Sequence, residues 1–226
     1  MKKEQYNIVL VDDHPLITDA YKNAFKDIRN EDKLEFNIVT SHSCDEALHI
    51  LDHISPLHPI DIAFLDIHLP PSQKADEIIS GEDLGLRIRR VSPETKIVIS
   101  TTFNDNYRIH SIFESLNPDG FLIKNDITPD ELVTAIRHLM HAPPYYSKTV
   151  VQSLRQYVTS DLLLDKIDRQ LLYQLSLGTK MKTMSTILPL STAAIEKRKR
   201  HLKEIFDIRS GEDRELILKA KEKGFI

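Results

Sequence analysis

The chain has 226 residues, a formal net charge of −4, 41% hydrophobic residues and 28% charged residues, a balance that excludes a disordered chain and suits one large or two ordinary soluble domains. One cysteine, Cys44, excludes an internal disulfide and points to a reducing compartment. The lysines at the start precede an apolar run of only residues 8–11, too short for a signal peptide or a membrane span, so a cytoplasmic protein without membrane contact is expected.

Strand and helix patterns alternate five times. The apolar run 8–11 is the first strand, and Ile17, Ala20, Tyr21, Ala24 and Phe25 then recur at helical spacing. Residues 36–39 form the second strand, followed by Ala47, Leu48, Leu51 and Ile54 at helical spacing. The third strand lies in IDIAFLDIHLP, residues 60–70. Residues 84–91 are a short helix, 97–99 a strand, and Ile109, Ile112, Phe113 and Leu116 one helical face. Residues 121–123 are the fifth strand, and Leu132, Ala135, Ile136, Leu139 and Met140 line a helix that Pro143 and Pro144 stop. Strands separated by helices imply an α/β domain: a doubly wound, five-stranded parallel sheet with helices on both faces.

The chemistry gathers where strands end. IVLVDDHP ends the first strand in Asp12 and Asp13, and Asp66 ends the third. In an open parallel sheet the carboxyl ends of strands share one edge, where ligands bind, so the three carboxylates converge. Alone, Asp66 is equally well a cap for the turn begun by His68, Leu69, Pro70 and Pro71. Together, three acids repel one another and call for a raised pKa or a cation. With no Cys or His cluster nearby, hard oxygen donors favour magnesium. A carboxylate beside magnesium is placed to attack a phosphoryl group. KIVIST ends a strand in the hydroxyl of Thr101 and GFLIK ends one in the ammonium of Lys124.

The motifs DDHP, FLDIHLP, IVIST and GFLIK resemble the receiver domain of two-component response regulators. The resemblance implies that a sensor histidine kinase phosphorylates Asp66. It also implies that Asp13, Asp66 and the backbone carbonyl of His68 hold Mg2+ directly, with Asp12 acting through water. Thr101 and Lys124 would contact the phosphoryl group, and Phe121 occupies the aromatic switch position, where an ordinary core phenylalanine is the plainer role. Such a protein accepts a phosphoryl group and at most removes its own; it is not otherwise an enzyme. A magnesium-dependent phosphatase with an Asp nucleophile fits less well, because that class wants a second Asp where His68 stands. Two departures stand out. Asn125 follows Lys124 where many receivers carry proline. The glycine that family members reach about eight residues after the phosphoacceptor is matched by Gly85, so residues 72–83 read as an inserted surface loop, either tolerated or acting as a lid or partner contact.

Residues 142–160 read as a linker with an amphipathic piece, Val150, Val151, Leu154 and Val158 sharing one helical side. From Leu162 a new pattern begins, with Ile167, Leu171, Leu172 and Leu175 on one side and Gly178 as C-cap. Met181, Met184, Ile187 and Leu188 give a short helix closed by Pro189, and Ser191 is an N-cap for STAAIEKRKRHLKEIF. At about 100° per residue, Ile195, Leu202 and Phe206 share one face of that helix, while Glu196, Arg200 and Lys203 stack on another, flanked by Lys197. A solvated charge run is the plain alternative. Against it, residues 161–226 carry 14 Lys and Arg to 10 Asp and Glu, whereas residues 1–160 carry 16 to 24.

A short helix, a tight turn and a basic helix resemble the LuxR-type helix-turn-helix of NarL/FixJ regulators, without gaps from Gly178 through Ile208 and again at KEKGFI. The family's Lys-Glu-Ile-Ala is here Lys182, Thr183, Met184 and Ser185. Its Thr-Val is Ala194 and Ile195, and its His is Arg198, so the DNA preference of relatives does not carry over. The expected organisation is a receiver at 1–141, a linker at 142–160 and a small all-α DNA-binding domain at 161–226, which forms a homodimer on double-stranded DNA. Glu196, Lys197 and Arg200 are expected to face base edges, and Lys182, Lys199 and Lys203 the phosphates. The competing class is a phospho-signalling adaptor whose tail never meets DNA.

Overall fold

The computed structural model describes residues 5–52, 59–73, 78, 80–158, 164–208 and 211–226. It divides into two compact units, Met1–Phe103 with Ile112–Val150, and Asn104–Ser111 with Val151–Ile226. Ile54, Leu162, the 160/161 boundary and residues 74–77 and 79 of the predicted loop lie outside the described residues.

In the first unit, β1 (Gln5–Val11), β2 (Glu35–Ser41), β3 (Ile62–Leu65), β4 (Lys96–Thr101), β5 (Gly120–Ile123) and β6 (Tyr145–Tyr146) form one parallel sheet in the order β2-β1-β3-β4-β5-β6. Helices α1 (Pro15–Asp32), α2 (Cys44–Asp52), α3 (Gly81–Val91) and α5 (Pro129–His141) follow β1, β2, β3 and β5, and α4 (Asn106–Leu116), whose residues from Ile112 onward belong to this unit, follows β4. The four residues of β3 and of β5 are all buried, as strands covered on both faces require, whereas β2 alternates part-buried with exposed positions, as an edge strand does. Tyr21, Ala24, Phe25 and Ile28 of α1 and Leu132, Ala135, Ile136 and Leu139 of α5 close one core over Ile8, Leu10, Ile62 and Phe64. Burying each larger side chain contributes roughly 1.5–3 kcal/mol.

The five-stranded expectation needs one correction. Tyr145 and Tyr146, inside the stretch read as linker, add a sixth strand, with Tyr145 N–H donating to the Asp119 carbonyl (3.1 Å) and Ser147 N–H to that of Phe121 (2.9 Å). Two residues are too short to show any periodicity. α6 (Lys148–Val158) follows directly, so the predicted amphipathic piece is a helix.

In the second unit, α7 (Lys166–Ser176), α8 (Met181–Ile187), α9 (Thr192–Ile205) and α10 (Asp213–Glu222) surround Leu171, Leu172, Met184, Ile195, Leu202, Phe206, Leu216 and Ala220. α7 starts at Asp165, whose carboxylate accepts from Asp168 N–H at 2.7 Å, and gives way to Gly178 at φ +70°. Ser191 caps α9 by accepting from Ala194 N–H at 3.3 Å. Among the described residues, no helix is long and apolar enough to cross a membrane.

Candidate functional site

Strand order builds the first candidate site. The chain leaves β1 toward β2 on one side, while β3 flanks β1 on the other. The crevice at their carboxyl ends is therefore where the topology reverses. Val11 pairs in register with Leu65, so the next residues, Asp12 and Asp66, emerge side by side, and Asp66 N–H donates to the Val11 carbonyl at 2.9 Å. Thr101 pairs with Ile123 at the ends of β4 and β5, and Lys124 follows.

Asp12 and Asp66 are 4% and 3% exposed. The Lys124 ammonium bridges them, 2.7 Å from Asp12 Oδ2 and 2.6 Å from Asp66 Oδ2. The other oxygens accept backbone hydrogen bonds, Asp12 Oδ1 from His14 N–H (3.0 Å) and Asp66 Oδ1 from His68 N–H (3.2 Å). Below them, the Tyr21 hydroxyl donates to Ser100 Oγ at 2.9 Å. Burial pushes the Tyr21 phenol well above its ordinary value; Ser100 opposes that rise, and the Asp12 and Asp66 charges add to it. Thr101 is fully buried, with Oγ1 accepting from Phe103 N–H at 3.3 Å. The exposed ring of His68 stacks on Phe103 with centroids 3.8 Å apart, giving the mouth of the site an aromatic side.

Asp12, Asp13, Asp66 and His14 each bring a ligand atom within 4.8 Å of the others. Asp13 Oδ1 lies 2.6 Å from His14 Nδ1, yet it is closed to solvent and, among the described residues, lacks a properly directed hydrogen bond. Three carboxylates, one with an orphaned buried oxygen, fit a hard divalent cation. His14 belongs to this group although sequence reasoning passed over it; its place directly after two acids at a strand end was the available signal. Cys44 is fully buried, and that burial, with Asp45 and Asp83 adding to it, pushes the thiol up to about 11.

Three features invisible in sequence frame the pocket. A Cβ built on Gly81 would stand 1.8 Å from the Asp66 carbonyl oxygen, so the glycine pressed on the Asp66 peptide is Gly81. Gly85, which sequence comparison singled out, faces Leu116 side-chain carbons instead. The described start of the predicted inserted loop is tied to α2, the Ser72 hydroxyl and Gln73 N–H (3.2 Å) both donating to the Asp45 carboxylate. Two residues past Lys124, Asp126 accepts from Ser147 Oγ (2.9 Å), Thr149 N–H (2.8 Å) and Thr149 Oγ1 (2.8 Å), fastening the turn after β5 to the start of α6. Burial opposes the Asp126 charge, but those donors hold its carboxyl below the ordinary aspartate range. Phe121 is fully buried, its ring 5.6 Å from that of Phe113.

A separate candidate site is α9. Lys197 and Arg200 are exposed, as is Lys182 on α8, and Glu196 is part-exposed. The remaining cations are engaged. Arg198 binds Asp165 (2.8 Å) and Asp168 (2.6 Å), joining α9 to the N-terminus of α7. Lys199 reaches Glu196 (3.2 Å) and Asp213 (3.1 Å), and Lys203 reaches Asp213 (2.6 Å).

Comparison with known proteins finds relatives along most of the chain. The model of the response regulator receiver domain matches residues 8–137. The oxygen regulatory protein NreC of Staphylococcus epidermidis is 26% identical over 218 residues, covering 90% of this chain and 92% of that protein. The transcriptional regulatory protein MctR of Rhizobium johnstonii is 24% identical over 206 residues, covering 90% and 88%. Among solved structures, RcsB from Salmonella enterica serovar Typhimurium bound to the promoter P1flhDC superposes with a TM-score of 0.63 at 18% identity, covering 95% of this chain and 97% of that one.

Proposed function

We propose, for a chain that belongs to the response regulator receiver family, a phosphorylation-controlled transcription factor: a receiver at 1–141 that takes a phosphoryl group from a sensor histidine kinase, a linker at 142–160 and a DNA-binding domain at 161–226. The observation that carries the reading is the Lys124 ammonium set between Asp12 and Asp66 at the switch point of the sheet. One Asp66 oxygen forms the new O–P bond as the P–N bond to the kinase imidazole breaks, and that imidazole leaves with a proton. Asp12, Asp13, Asp66 and the His68 carbonyl are the groups that would hold Mg2+. When bound, the ion supplies charge neutralisation at the phosphoryl oxygens. Lys124 is poised to follow the charge from carboxylate to phosphoryl, and the Thr101 hydroxyl to bind a phosphoryl oxygen beside Phe121.

Because Asp126 lies two residues beyond Lys124 and holds Ser147 and Thr149, a shift of Lys124 acts on the first turn of α6. The outward cations Lys182, Lys197 and Arg200 suit a duplex, with Arg200 placed for a guanine edge and Glu196 for a cytosine amino group. The identity of MctR as a transcriptional regulator and the DNA-bound RcsB dimers support DNA as partner and a homodimer as the binding form.

The test is DNA selection with the full-length chain, before and after treatment with a small phosphodonor and magnesium. Phosphorylation is expected to promote dimers and raise affinity for the selected site, and Asp66→Asn protein is expected not to respond. A tail that selects no duplex in either state favours the adaptor reading.

A further inference from the structure

Six residues of α9 are basic or imidazole-bearing, but the structure spends several of them inside the domain. Lys199 and Lys203 have side chains only 13% and 15% exposed, although lysine is among the residues least often buried. One carboxylate accounts for both. Asp213 Oδ2 takes Lys199 at 3.1 Å and Asp213 Oδ1 takes Lys203 at 2.6 Å, so each oxygen is committed to one ammonium. Further acceptors complete the set, Glu196 for Lys199 and the Gly211 carbonyl for Lys203. Asp213 is itself well placed, as the first residue of α10, where the positive end of the helix dipole favours a carboxylate. Burial works against the Lys199 ammonium, yet the bonds from Asp213 and Glu196 raise its pKa; burial likewise opposes the Asp213 charge, and Lys203 and Lys199 hold it below the usual range.

We propose that Asp213 sets the specificity of this domain by withholding Lys199 and Lys203 from the phosphate backbone, which leaves Lys197 and Arg200 as the cations that α9 offers to duplex DNA. The inference rests on the DNA-binding reading above. Its physical basis is that sequence-independent affinity grows with each cation that neutralises a phosphate and releases a counterion. Two lysines turned inward lower binding to random duplex while the outward groups still read base edges, so the ratio of specific to random binding rises. Single exposed ion pairs contribute little, but here one acid restrains two long side chains at once.

The experiment measures affinity for a random-sequence duplex against salt, using the full-length chain. Asp213→Asn is expected to bind random duplex more tightly and to steepen the log–log salt slope by about 2, one counterion for each released lysine. Asp213→Glu, which keeps the charge, stays near the wild-type slope, and Glu222→Gln, which removes an acid at the other end of α10, controls for net charge. An Asp213→Asn slope equal to that of wild type, or matched by Glu222→Gln, overturns the proposal. A second readout needs no DNA: acylation of lysine amines, followed by peptide mass spectrometry. Lys199 and Lys203 should react more slowly than Lys197 in wild type and at a similar rate in Asp213→Asn. Equal rates in wild type refute the restraint itself, whereas slow acylation with no duplex bound by any variant refutes the DNA reading and leaves the restraint standing.

Discussion

At the carboxyl edge of the sheet, Asp12, Asp13 and Asp66 crowd like charges into a place largely closed to water, with one ammonium shared by two of them. Along α9 the excess charge is positive, but Arg198, Lys199 and Lys203 each meet an acid from another part of their own unit. Two buried like charges beside a part-exposed third cost folding energy that pairing does not fully return, so their persistence marks a task beyond stability. A row of surface cations costs little, and its net outward charge is set by which partners reach it. Charge count therefore overstates the basic helix and understates the acid pocket.

The largest expected effect tests how tightly the acid pocket is built. Gly81→Ala drives a methyl into the Asp66 carbonyl and should cost more than about 4 kcal/mol of stability in urea melts, or displace Asp66 enough to stop phosphorylation. An alanine variant with wild-type stability and phosphorylation would show that the pocket yields easily. Lys124→Ala comes next. Leaving Asp12 and Asp66 buried without their cation should destabilise the chain by roughly 3–5 kcal/mol, and saturating magnesium should restore part of it. This variant should still accept some phosphoryl groups but lose the coupled gain in DNA affinity, because Lys124 is not the nucleophile.

On the basic side the effects are smaller and sharper. Arg200→Ala should cost about 1–3 kcal/mol on the selected site and little on random duplex, whereas Lys182→Ala should weaken both and reduce the salt slope by about 1. Equal losses on both duplexes would make Arg200 one more phosphate contact. Acid should also separate the regions by which aspartates matter. Asp126 in one unit, and Asp165 and Asp213 in the other, have carboxyls held below the ordinary value of about 3.9. A depressed carboxyl contributes stability that is fully present above that value and is lost as pH falls through the folded pKa, so Asp126→Asn should flatten the loss of stability below about pH 4.

Much of the fold was legible because apolar runs of three or four residues ended at or just before acids, a threonine or a lysine, and because Pro143 and Pro144 punctuate α5. The sixth strand was not, since two tyrosines carry no period and their partners are Gly120 and Phe121, far back in the chain. Asp12, Asp13 and Asp66 could be read as neighbours from topology alone. The helical wheel set Lys203 beside Arg200 on α9, but it could not show that Asp213 returns to pair with Lys203. Gly81 escaped for the same reason: close approach of two backbones leaves no mark in either stretch. Periodicity reports which way a residue faces on its own element, and these contacts are decided by a different element.

The central claim is that Asp66 is the nucleophile of the acid pocket. The most direct measurement is treatment of the full chain with a small phosphodonor and magnesium, followed by mapping of the product. An acid-stable, hydroxylamine-labile phosphoryl adduct on Asp66, absent from Asp66→Asn protein, is the predicted result; uptake of one phosphoryl group by Asp66→Asn at an unchanged rate would contradict it.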